Sequence, residues 1–181
     1  GHSFNRMTEN LERLLSVEKE KERLQSELEI AREVQSLLYP KAAPVVEGLE
    51  VLAHCSPART VSGDYYDYLS LTGGRLALAI GDVAGKGISA ALLMATVQSS
   101  LRTQIRGCLE RATAAEDSLA AAHLVSQLNQ QLYALTSAEK FATFYFGIYD
   151  SRSGELSYTN AGHPPPIVVR NGTALRLETN G

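Results

Sequence analysis

The chain has no tryptophan, only two cysteines and four histidines in 181 residues. Cys55 and Cys108 lie far apart, with no Cys-x-x-Cys spacing and no paired histidines. That argues against a disulfide framework or a zinc site and fits a reducing, cytoplasmic compartment. No run of about 18 apolar residues occurs, so no membrane-spanning helix is expected. The net charge of −3 gives no electrostatic reason to expect nucleic acid or an anionic membrane as a partner. A signal-peptide pattern is also missing, and Gly1-His2-Ser3 reads as a cloning scar ahead of an internal fragment. What is present is 44% apolar residues, enough to bury the core of one domain with an appendage.

Charge and turn residues divide the chain in two. Residues 1–41 carry 15 of the 37 Asp, Glu, Lys and Arg residues and almost no turn formers. Met7, Leu14, Val17, Leu24, Leu28, Ala31 and Leu38 share the a and d positions of one heptad frame, with Asn10, Lys21 and Gln35 as polar exceptions. This spacing predicts a coiled coil, a dimerising linker whose polar seam residues fix register at some cost in stability. A solvated single helix with charged faces is the alternative. Pro40 and Pro44 are expected to stop the helix.

From about residue 48 the texture changes. "LEVLAHCS", "YYDYLSL" and "RLALAIGDV" read as strands, the second and third joined by a turn at Gly73-Gly74. Helices follow, from Ile88 to about Leu109 and from about Ser118 to Leu135. Their stripes are Met94, Val97, Leu101 and Ile105, then Leu124, Leu128, Leu132 and Leu135, spaced as a core face. "FATFYFGIYD", "LSYTNAG", "PPIVVRN" and "TALRLE" return to strands, the last two around an Asn171-Gly172 hairpin turn. Strands, two helices, then hairpins predict an antiparallel α+β fold, not the alternation of a doubly wound nucleotide fold.

The stretch "IGDVAGKG" (80–87) superficially suggests a phosphate loop. A phosphate loop needs four residues between its glycines, then Lys and Ser or Thr. Here Gly81 and Gly85 are separated by three, the hydroxyl is missing, and Asp82 would repel phosphate. A second aspartate cluster, Gly63-Asp64-Tyr65-Tyr66-Asp67, begins the strand whose hairpin partner ends at Asp82. Asp64 and Asp82 can then meet at one end of adjacent strands. Two carboxylates so close repel unless a cation lies between them. Oxygen ligands without Cys or His point to Mg²⁺ or Mn²⁺. The bland alternative is that both aspartates cap turns, as Asp beside Gly often does.

Five segments in order resemble the SpoIIE/RsbU type of bacterial protein phosphatase, within the protein phosphatase 2C-like superfamily: "AREVQSLLYP" (31–40), "VSGDYYDYL" (61–69), "IGDVAGKGISAALLMA" (80–95), "FATFYFGIYD" (141–150) and "YTNAGHPPPIVVR" (158–170). The resemblance implies an αββα sandwich of two antiparallel sheets flanked by helices, with residues 42–181 as the N-terminal portion of the catalytic domain. It also implies Mn²⁺- or Mg²⁺-dependent hydrolysis of phosphoserine or phosphothreonine. The implied substrate is a phosphorylated STAS-domain anti-sigma factor antagonist, whose dephosphorylation leads to release of a sigma factor.

By motif, Asp64 and Asp82 become metal ligands, joined by the backbone carbonyl of Val83. Asp67 is expected to orient waters or loop amides, Gly81 and Gly85 to let backbone approach the ion, and His163 to shape the site. Lys86 fills a position usual for the family and is given no chemistry; His54 and His123 are read as structural. Eukaryotic relatives place a general-acid histidine where this chain has Ala84, which leaves leaving-group protonation to a metal-held water or makes it unnecessary. The family's later Ser/Thr-Asp-Gly and Asp-Asp ligands would follow Gly181, so the fragment alone is expected to be incomplete. A non-catalytic switch module, gripping its partner without hydrolysis, is the alternative to an enzyme driven by an upstream sensor through a dimeric helix.

Overall fold

The computed structural model describes residues 2–57, 60–108, 117–137 and 139–177. The chain begins with one long helix, α1 (His2–Ser36), whose apolar residues are largely exposed. Along the expected seam Met7, Leu14, Val17 and Leu24 are half or more exposed. Gln35 departs from that seam, because it is buried against the following domain. The helix ends four residues before Pro40. Leu37 and Leu38 donate backbone hydrogen bonds only three residues back, to Val34 and Gln35, the tighter winding common at helix C-termini.

The domain is α+β. Strands β1 (Asp64–Leu71), β2 (Arg75–Val83), β3 (Ala142–Asp150) and β4 (Glu155–Ala161) form one antiparallel sheet in the order β1-β2-β3-β4. Helices α2 (Ile88–Cys108) and α3 (Asp117–Leu135) lie in the long connection between β2 and β3. Strands β5 (Ile167–Arg170) and β6 (Thr173–Arg176) make a separate two-stranded ladder. Its turn uses Asn171 and Gly172 at φ 51° and 77°, the left-handed values that a two-residue hairpin requires. Leu109 and Glu178, expected at the ends of the first core helix and the last strand, lie outside the described residues.

The core forms where the helix stripes meet one face of the sheet. Ala90, Met94, Val97, Leu101 and Ile105 of α2 and Ala121, Leu124 and Leu128 of α3 are buried against Tyr65, Ala79, Phe146 and Ile148. Successive strand side chains alternate between faces, so the residues between these point away from the helices. Leu135, expected on the core stripe, is 67% exposed in the last turn of α3.

The segment "LEVLAHCS" is not a strand. Among the described residues its backbone pairing is an isolated bridge between Val46 and Leu49, and Leu52 is 87% exposed. Alternating sequence suffices for a strand only when a neighbouring strand completes the ladder. Among the described residues none does.

Candidate metal centre

The β1–β2 register is set by the turn at Thr72–Gly74, where Gly73 and Gly74 adopt φ of 74° and 77°. Counting back from that turn, Asp64 lies directly opposite Asp82, and Asp82 in turn lies opposite Thr143 of β3. The row Asp64, Asp82, Thr143 therefore crosses three strands at one end of the sheet, on the face away from the helices. It borders a cleft of about 720 Å³ lined also by Cys55, Tyr66 and His163.

The electrostatics of the row follow from its geometry. Burial, and then the Asp64 carboxylate beside it, raise the pKa of Asp82 above the ordinary carboxylate value, and His163 partly offsets this. Burial lowers the pKa of His163, opposed by Asp82. Two facing carboxylates are an oxygen donor set suited to a hard divalent cation.

Asp64 is held from several directions. The Ser62 hydroxyl accepts a hydrogen bond from the Asp64 N–H at 3.0 Å and donates to Asp64 Oδ2 at 2.9 Å. The Tyr39 hydroxyl donates to the Asp64 carbonyl at 2.8 Å, while the Tyr39 ring stacks on Tyr66. Gly63 lets the loop before β1 reach the end of β2. A methyl group there would meet the Val83 carbonyl at 2.7 Å, and the Val83 N–H donates to the Gly63 carbonyl.

The other expected residues fall in different places. A Cβ on Gly81 would meet the Thr143 carbonyl at 2.9 Å, so this glycine allows β2 and β3 to approach. Gly85 sits in the exposed loop before α2 at φ 117°, and Lys86 beside it is exposed. His163 contacts Thr143 Oγ1 through Nδ1 at 2.9 Å, and its backbone is clasped by the Asn160 amide. His54 lines the same cleft, whereas His123 is exposed on α3.

Asp67 does not orient groups beside Asp64. It stands three residues further along the strand, so its side chain turns to the helix-covered face. There it accepts two hydrogen bonds from Arg102 of α2, at 2.7 and 3.0 Å, and one from the Tyr65 hydroxyl.

Ser62, Tyr39, Gln35 and Thr143 were not apparent as site residues. Gln35 and Tyr39 reach the site from 27 and 25 residues away in sequence, and no local pattern announces such contacts. Among the described residues no group of three or more His, Cys, Asp or Glu side chains is placed to hold a metal. Asp64 and Asp82 thus stand as a pair of carboxylates at the cleft. None of the described helices is long and apolar enough to cross a membrane.

A family model described as Stage II sporulation protein E (SpoIIE) matches residues 72–181, more than half of the chain. The chain belongs to the SpoIIE family. Protein IcfG of Synechocystis sp. is 33% identical over 199 residues, which cover 100% of this chain and 31% of IcfG. Phosphoserine phosphatase RsbU of Bacillus subtilis is 29% identical over 160 residues, covering 87% of this chain and 44% of RsbU. Among solved structures, the RsbU and RsbW domains of Rv1364c from Mycobacterium tuberculosis align with a TM-score of 0.52 at 35% identity, over 70% of this chain and 32% of that one. The SpoIIE-family chain described here spans less than half the length of these curated relatives.

Proposed function

We propose that this chain belongs to a metal-dependent protein serine/threonine phosphatase of the cytoplasm, in which Asp64 and Asp82, with the Val83 carbonyl, hold Mn²⁺ or Mg²⁺. The observation that carries this reading is the direct pairing of Asp64 with Asp82 at the cleft, in a chain of the SpoIIE family. A divalent cation bound there supplies Lewis-acid polarisation of the phosphoryl group and makes hydroxide accessible at neutral pH. The chain's own residues position it. Ser62 holds one oxygen of Asp64, and the Asp82 carboxyl stands within hydrogen-bond reach of Asp64. His163 lies within electrostatic reach of Asp82 and is kept in place by Thr143 and Asn160. Ala84 offers no side chain for general acid catalysis, so protonation of the leaving group is not assigned to that position.

The substrate proposed is a phosphorylated STAS-domain anti-sigma factor antagonist, as the family resemblance implies. Residues 1–41 act as a dimerising link to an upstream sensor, and residues 42–181 as the N-terminal portion of the catalytic domain. The test is phosphate release from such a phosphoprotein by the full-length protein, with and without Mn²⁺. Asp82→Asn keeps side-chain volume but removes one of two charges, and is expected to abolish Mn²⁺-dependent turnover with the fold intact. Turnover at the parent rate would refute the metal role. Binding of the phosphoprotein without turnover by the unmutated protein would mark a non-catalytic switch module instead. Activity with Zn²⁺ alone would contradict the oxygen-ligand argument.

A partial ligand set also makes a quantitative demand. Residues 1–181 alone should bind Mn²⁺ with a dissociation constant well above micromolar, because few anionic oxygens offset dehydration of the ion. Calorimetry showing two tight sites on this segment would mean that other residues complete the site.

A further inference from the structure

We propose that Gln35, in the last turn of α1, is a positioning residue for Asp64 that acts through Ser62. This rests on the reading of Asp64 as a metal ligand. The Gln35 side chain is buried, at 7% exposure, and its amide engages both backbone polar groups of Ser62. Nε2 donates to the Ser62 carbonyl at 2.7 Å, and Oε1 accepts from the Ser62 N–H at 3.0 Å. Ser62 is itself buried, so the described partners of its N–H and C=O are the two ends of one side chain.

The next bonds reach the site. The Ser62 hydroxyl accepts from the Asp64 N–H, which directs its single proton to Asp64 Oδ2. Fixing the Ser62 backbone therefore fixes the donor that orients the Asp64 carboxylate. Two neighbouring contacts hold the end of α1 in place for this task. Gln98 of α2 donates to the Leu38 carbonyl at 3.1 Å, and Tyr39 donates to the Asp64 carbonyl.

The chemistry requires a side chain with donor and acceptor at one reach. Glutamate would set an acceptor against the Ser62 carbonyl. Lysine and arginine have no acceptor, and asparagine is one methylene shorter. Without the fork, a buried N–H and C=O lose their partners, and the loop must move to find others. The Ser62 hydroxyl moves with it.

The experiment is a Mn²⁺ titration of the full-length protein, following the electron paramagnetic resonance signal of free Mn²⁺. Loss of a group that orients a metal ligand commonly weakens affinity by about 10–100-fold, and Ser62→Ala sets that scale here. Gln35→Met keeps packing but removes both hydrogen bonds, and is expected to weaken Mn²⁺ binding about tenfold. Gln35→Glu keeps the acceptor for the Ser62 N–H but sets a second acceptor against the Ser62 carbonyl, and should weaken Mn²⁺ binding at least as much as Gln35→Met. In a Ser62→Ala background, Gln35→Met should add less than about twofold, because both act through one hydroxyl.

Leu128→Ala, which thins the core beneath α3, is the control for general loosening. It should lower the melting temperature with Mn²⁺ affinity unchanged. Parent affinity in both Gln35 variants, or fully additive losses with Ser62→Ala, would overturn the proposal. Asp82→Asn separates the two levels. Unchanged affinity there overturns the metal reading itself, while loss there with none at Gln35 overturns this inference alone.

Discussion

Asp67 sits on the helix-covered face of the sheet with its side chain fully buried. Burying a carboxylate is costly unless it is paired and hydrogen-bonded, and here Arg102 binds it through two nitrogens, aided by the Tyr65 hydroxyl and the Tyr68 N–H. Removing Arg102 leaves that charge with neutral donors only. Breaking fully buried pairs costs about 3–5 kcal/mol, but the Arg102 side chain is 39% exposed, so solvent screening lowers the expectation. Arg102→Met should destabilise the fold by about 2 kcal/mol in urea unfolding. A loss no larger than that of an exposed ion pair would show that Asp67 is not held in this way. The contrast with Asp64 shows what was legible at this scale. The turn glycines and strand pattern sufficed to place Asp64 opposite Asp82. The same alternation rule turns Asp67, three positions on, to the opposite face, and the Gly-Asp-x-x-Asp motif obscured that. The Gln35–Ser62 fork was not legible, because 27 residues separate its members and a heptad frame assigns Gln35 to a seam equally well.

The strands whose ladders are complete matched their sequence patterns closely, as β2 and β3 do, each flanked on both sides by partners. "LEVLAHCS" failed because period-2 alternation states a preference for a sheet surface without supplying the neighbour. The proline pattern points to an end of α1 near Pro40, whereas the helix ends at Ser36, where Gln35, Leu38 and Tyr39 are bonded to the following domain. Close approach between elements yields a prediction at Gly63. Its missing Cβ makes room for the Val83 carbonyl at 2.7 Å and Ala90 Cβ at 3.1 Å. Backbone cannot move aside as a side chain can, so Gly63→Ala should cost about 1–3 kcal/mol and also weaken Mn²⁺ binding, since Asp64 and Asp82 flank that contact. Parent-like unfolding and affinity would refute the packing argument. The sheet also carries an alkaline liability. Burial, and then Tyr158 stacked at 5.6 Å, push the pKa of Tyr145 up to about 12. The unfolded chain releases this proton near the ordinary tyrosine value of about 10. The stabilisation is therefore fully present below pH about 10 and is lost as pH rises toward 12. Burial raises Tyr39 and Tyr65 in the same direction, so Tyr145→Phe should make the fall of stability above pH about 10 shallower without abolishing it. An unchanged slope in urea titrations at several pH values would remove Tyr145 from the account.

At the scale of the whole molecule, α1 presents an unsolved burial problem. A helix of 35 residues extends about 52 Å at 1.5 Å per residue, and most of it stays exposed among the described residues. Isolated helices gain most of their stability from packing an apolar face, yet Met7, Leu14, Val17 and Leu24 stand 50–63% exposed on one heptad frame. A second copy of the same helix is the cover expected for that frame, in a parallel homodimer over residues of about 5–38 less Gln35 and Leu38, which pack against the chain's own domain. Under the proposed function, such a dimer would carry both copies of the following domain at one end of the paired helices. Lys21, paired with Glu18 at 3.7 Å on its own helix, and Asn10 are polar residues at seam positions, which weaken such pairing. Gln35 is not another, because its amide is committed to Ser62; replacing it is expected to act on the proposed metal site and not on a dimer. Lys21→Leu is therefore an informative change. Burying a leucine contributes about 1.5–3 kcal/mol, which tightens dimerisation tenfold or more. Switching requires two helix arrangements of similar energy, so the same variant should hold the phosphatase in one activity state. Sedimentation of the unmutated chain as a monomer at concentrations of tens of micromolar would remove the dimer. A Lys21→Leu protein that dimerises tightly yet still responds normally to its upstream signal would keep the dimer and remove the switch.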